Sequence, residues 1–111
     1  MEYMLFVATD SEPDARTEQE NEVEDWVEEG ARRGIRLRGD VLRPVQDATT
    51  VRVRGGEVLV TDGPFTESKE WIVGYDLLEC TDLDQAIDYV SRHPMARNGR
   101  IEIRPVMQFD E

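Results

Sequence analysis

Apolar residues recur along this chain with two different periods, and the order in which those periods alternate constrains the fold more than any single residue. Tyr3 to Ala8 is a short run rich in aliphatic and aromatic side chains, the pattern of a strand. Asp10 to Asp14, with Pro13 inside it, breaks that run. From Glu18 to Arg33 the period becomes helical: Val23, Trp26, Val27 and Ala31 are spaced to share one face. Acidic residues lead this helix, Arg32-Arg33 close it and Gly34 stops it, as the helix dipole and a left-handed cap favour. Ile35 to Leu42 alternates again, interrupted at Gly39-Asp40, which predicts an edge or bulged strand ended by Pro44. Trp71 to Cys80 reads as a long central strand, with Gly74 at a bulge or close approach. A second helix is expected with Thr81 as N-cap and Leu83, Ala86, Ile87 and Val90 on its buried face, ending at His93-Pro94. Arg100 to Val106 alternates as the last strand, and Pro105 places it at an edge or a strand end.

Two further runs, Thr49 to Arg54 and Glu57 to Thr61, flank Gly55-Gly56. A two-residue hairpin turn needs positive φ at both central positions, which two glycines supply. That turn sets Arg54 opposite Glu57 and Val53 opposite Val58, both sensible cross-strand pairs. With the hairpin set aside, the order is the ferredoxin-like βαββαβ pattern. The expectation is therefore one α+β domain over residues 1–111, a length that buries a single modest core.

Charge and composition exclude several roles. The formal net charge is −12, which repels phosphate backbones and anionic lipid heads, so neither nucleic acid nor membrane is an expected partner. No apolar run approaches the roughly 20 residues that cross a bilayer, and Glu2 stands where a signal peptide wants basic residues. Cys80 is the sole cysteine, so an internal disulfide is impossible and a reducing, cytoplasmic setting is expected. One histidine and one cysteine cannot close a zinc site, and the acidic run Glu18 to Glu29 lacks calcium-loop spacing, so no metal is expected. No cofactor is implied.

The richest chemistry lies in Asp62-Gly63-Pro64-Phe65-Thr66-Glu67-Ser68-Lys69-Glu70. Gly-Pro marks a turn, and the loop beyond it offers acids, hydroxyls, an amine and an aromatic ring, types suited to a polar small molecule or to proton transfer. Lys69 is the only lysine beside twelve arginines. A capped turn in which Asp62 bonds its own backbone is the bland alternative.

The same stretch resembles the signature of the DGPF-type, YCII-related family. The resemblance continues through Tyr3-Met4-Leu5, the Leu42 and Pro44 region, Ala48 to Arg52, Gly74-Tyr75, Asp82 to Ala86, Pro94 and Gly99 to Val106. It implies a homodimer whose sheets pack face to face into a dimeric α/β barrel, with a cleft beside each sheet. The cleft's candidate ligand-binding residues are Asp62, Gly63, Pro64, Phe65, Glu67, Lys69, Trp71, His93 and Arg104. Asp62, Glu67, Lys69 and His93 are the candidate acid/base groups. Members associated with extracytoplasmic-function sigma factors suggest a regulatory role. A related branch pairs a first-helix histidine with an aspartate before a proline. Here Glu18 to Arg33 contains no histidine and His93 precedes Pro94, so that pair is not carried over. Three readings follow: a binding or regulatory domain, a lyase- or dehydrochlorinase-like enzyme, and a purely structural dimerisation module.

Overall fold

The computed structural model describes residues 1–14, 22–63 and 71–109. Its elements are β1 (Glu2–Thr9), α1 (Glu22–Arg32), β2 (Arg36–Val41), a single 3-10 turn (Val45–Asp47), β3 (Thr49–Arg54), β4 (Glu57–Asp62), β5 (Ile72–Glu79), α2 (Leu83–Val90), α3 (Met95–Asn98) and β6 (Gly99–Pro105). Four strands form one antiparallel sheet in the order β2-β5-β1-β6, and among the described strands β3 pairs only with β4. The four-stranded order is consistent with the ferredoxin-like arrangement, in which each helix connects two strands that flank a third. Both edges are blunted: β2 carries Arg36, Arg38 and Asp40, and β6 ends in Pro105.

Strict alternation along β1 divides the sheet into two unlike faces. Tyr3, Leu5 and Val7 are buried and meet Leu78, Asp76 and Gly74 of β5, and this face carries the helices. Trp26 and Tyr89 lock α1 to α2 here. Their rings stack at 4.1 Å, the Tyr89 hydroxyl donates to the Trp26 carbonyl at 2.6 Å, and Trp26 Nε1 donates back to the Tyr89 carbonyl at 2.8 Å. Large apolar rings are thus buried with their polar tips satisfied. The tyrosine lies so close to α1 that a Cβ on Gly30 would stand 2.0 Å from its hydroxyl oxygen.

This packing turns both helices away from the expected faces. On α1, Trp26 and Gly30 are buried while Val23 and Ala31 are exposed. On α2, Ala86, Tyr89 and Val90 are buried, whereas Leu83 and Ile87 are about half exposed. Two boundaries also shift. The N-cap of α2 is Asp82 rather than Thr81, because its side chain accepts from the Gln85 amide at 2.9 Å. Beyond His93-Pro94 the chain makes α3, a short helix the sequence pattern did not suggest. The expected start at Glu18 lies outside the described residues.

The hairpin follows its turn chemistry. Gly55 and Gly56 have φ of +58° and +78°, and Arg54 faces Glu57 while Val53 faces Val58.

Candidate functional site

The second face of the sheet carries none of the described helices. The strand register lays its side chains in three rows: Leu77, Met4 and Arg104; Tyr75, Phe6 and Glu102; Ile72, Ala8 and Arg100. Met4, Phe6, Ala8, Tyr75 and Leu77 are half-buried there. The segment after β2 runs beside this face and encloses a cavity of about 1110 Å³ that opens to solvent. Its floor includes Phe6, Ala8, Trp71 and Ile72, and Leu42, Pro44 and Val45 face them. The volume lies just above the ordinary range of ligand pockets, which are apolar with few polar groups.

Polar groups gather at the rim. Arg104 holds its guanidinium 5.6 Å from the centre of the Phe6 ring and pairs with Glu102 at 2.8 Å. Arg43 pairs with Asp47 at 3.0 Å, and Arg100 contributes a third cation. Among the described lining residues, Arg43, Arg100 and Arg104 stand beside Asp47 and Glu102, so guanidinium groups are concentrated here in a chain whose formal charge is −12.

The Asp62-Gly63 turn is tied to the same wall. The Gly63 amide donates to the Ala48 carbonyl at 2.7 Å, the Thr50 hydroxyl donates to the Gly63 carbonyl at 2.7 Å, and Asp62 pairs with Thr49 across the hairpin. Ala48, Thr49 and Thr50 all line the cavity. Gly63 has a φ of +107°, a conformation that L side chains rarely adopt. Trp71, at the far end of the loop, reaches the cavity floor and is anchored to β1: its amide donates to Thr9 Oγ1 and its carbonyl accepts from the Thr9 amide, both at 2.9 Å.

A family model for the YCII-related domain matches residues 1–110 of this chain. The chain belongs to the YCII-related domain family. An uncharacterised protein of Rhizobium meliloti (strain 1021) is 40% identical to this YCII-related domain over 70 residues, which is 61% of this chain and 56% of that protein. The match therefore spans little more than half the length of this curated relative.

Of the sequence-derived site residues, the YCII-related fold brings Trp71 and Arg104 into the cavity and holds Asp62 and Gly63 against its wall. Pro64, Phe65, Glu67 and Lys69 lie outside the described residues. His93 is on the other side of the sheet. It is buried at 7% exposure, packs edge-on against Trp26 with ring centres 4.5 Å apart, and accepts the Met95 amide on Nδ1 at 2.9 Å. It is buried just before α3, whose N-cap position is Pro94, and does not line the cavity. Burial, with the Arg36 charge adding to it, pushes its pKa down to about 4. Cys80 is buried in the core cluster, and burial pushes its thiol pKa up, as for an inert thiol.

Phe6, Arg43, Asp47 and Arg100 are wall residues that sequence reasoning passed over. One signal was available: Arg100, Glu102 and Arg104 alternate with Ile101 and Ile103, so one strand face is charged throughout. Among the described residues there is no cluster of three or more histidine, cysteine or acidic residues placed to hold a metal ion. No described helix is long and apolar enough to cross a membrane.

Proposed function

We propose that this YCII-related domain works in the cytoplasm as one half of a homodimer and binds a small organic acid in the cavity beside the Asp62-Gly63 turn. The observation that carries the reading is the cavity's composition. An apolar, partly aromatic floor suits a hydrophobic body, and a rim carrying the Arg43, Arg100 and Arg104 guanidinium groups suits an acidic group. Met4, Phe6, Tyr75 and Leu77 remain half-exposed with no described helix over them, and face-to-face packing of two such sheet faces would cover them. Binding, with a sensing or regulatory purpose, is favoured over acid/base catalysis. The two carboxylates described on the wall, Asp47 and Glu102, are already paired to arginines.

A thermal-shift panel on the full chain tests this, comparing benzoate, phenylacetate and hydroxybenzoates with the uncharged benzamide. The acids are expected to stabilise the protein, by about 2.7 kcal/mol at a hundredfold excess over Kd, and benzamide is not. The effect should vanish in Arg104→Ala and weaken in Lys69→Ala. Equal stabilisation by acid and amide, or an effect that survives Arg104→Ala, removes the organic-acid reading.

A further inference from the structure

The β3–β4 hairpin is the least supported element of the molecule. A hairpin of two strands is at best marginally stable by itself, yet among the described elements β3 and β4 pair extensively only with each other. One of its faces is made of four valines set in two cross-strand pairs, Val51 with Val60 and Val53 with Val58. All four are bare, with exposures of 61%, 63%, 54% and 62% in that order. Large side chains with this pattern have the composition of a strand face packed on something else.

The dimensions point the same way. The radius of gyration is 16.3 Å, where a compact chain of this length has about 13 Å. The accessible surface is 8193 Å², against roughly 6,300 Å² for a compact monomer of this mass. An excess of that order on each of two chains matches an obligate homodimer interface, which buries about 2,000–5,000 Å² in total.

Resting on the homodimer reading above, we infer that the valine face of this hairpin is an arm that packs on the second copy of the chain. Three observations select a second copy as occupant. The arm's root, Thr49 and Thr50, lines the cavity, so arm and uncovered sheet face belong to one continuous surface. The arm's valines and the Met4, Phe6, Tyr75 and Leu77 part of the sheet face are both largely apolar, and both lie on every copy, which is the self-complementarity a two-fold interface requires. The valines carry no charge, so a partner bearing the same −12 is not repelled at that contact. Each copy thereby gives the other's hairpin the packing it lacks alone. The charged opposite face, where Arg52 lies across from Leu59, stays outward.

Sedimentation equilibrium on the full chain tests the arm and the dimer separately. The wild type is expected to be a dimer. Val53→Thr with Val58→Thr keeps β-branching and turn chemistry, and should raise the dimer dissociation constant at least tenfold. Val53→Asp with Val58→Asp should give a monomer whose far-ultraviolet circular dichroism shows it still folded. Arg52→Gln, on the opposite face, should leave the constant within threefold. A wild type that sediments as a monomer overturns the homodimer reading and the arm with it. A wild-type dimer whose constant is unmoved by the Thr pair overturns the arm alone and leaves the sheet-face dimer standing.

Discussion

His93 sits between the Trp26 ring and the first turn of α3, and that position sets how the protein responds to acid. Its Nδ1 accepts the Met95 amide, so the neutral ring carries its proton on Nε2. In the unfolded chain the imidazole protonates near 6.5, whereas in the folded state burial delays protonation to about 4. Above pH 6.5 the ring is neutral in both states and folding carries no cost from it. As pH falls from 6.5 to 4 the unfolded state takes up a proton that the folded state does not, so stability is lost across that window, on the order of 3 kcal/mol in all. Asn at this position retains an acceptor for Met95 and removes the titration. Urea denaturation from pH 7 to 4 should therefore show a flatter decline for His93→Asn than for the wild type. Parallel declines would mean that the buried histidine is not the acid-sensitive group.

Within α2 the division of labour between two adjacent capping residues is measurable. Asp82 accepts the Gln85 amide at 2.9 Å, while the Thr81 amide is held by Gln85 Oε1 at 2.8 Å. Both residues are good N-cap types, and only the helix start at Leu83 decides between them. Asp82→Ala should cost about 1 kcal/mol in chemical denaturation, and Thr81→Ala only a few tenths. The reverse ranking would place the cap one residue earlier. The rotation of the same helix has a definite cause. Tyr89 stacks on Trp26, its hydroxyl donates to the Trp26 carbonyl and its own carbonyl accepts from the Trp26 indole, and that pairing outweighs burial of Leu83 and Ile87. Three ion pairs frame the layer: Glu29 bridges Arg33 and Arg92, and Arg97 meets Glu22. The Arg33 and Arg92 contacts hold the Glu29 carboxyl below its ordinary pKa, although exposed pairs of this sort contribute little to stability.

For the molecule as a whole, the governing quantities are its flat shape, 47 × 45 × 20 Å, and its net charge of −12. A homodimer joined through apolar surface brings two such charges together. Added salt shortens the Debye length from about 30 Å at 0.01 M to about 8 Å at 0.15 M and so screens the repulsion. The dimer dissociation constant should fall over that range of sodium chloride. A constant that rises instead would show that attraction between opposite charges dominates the interface. Neither face of the sheet is decisive alone. The helix layer supplies the core, and the uncovered face supplies the cavity and, in the proposed homodimer, the contact surface.

Element order was legible in the sequence because each element is a local matter. Periods of 2 and 3.6, the paired positive-φ glycines and the edge-marking Pro105 depend on a few neighbouring residues, and β1, β5, β6 and the hairpin register follow them. The DGPF-type signature likewise identified the family. The tertiary structure decided which side each residue serves. The fold placed His93 in the helix layer, although its sequence neighbourhood allowed a place in the cleft. It turned α1 and α2 so that a Trp26–Tyr89 contact 63 positions apart displaced the apolar stripes. It also assembled the cavity from β1, the segment after β2, Trp71 and β6. Those choices depend on antiparallel register between distant strands, and a one-residue slip would send every side chain of a strand to the opposite face.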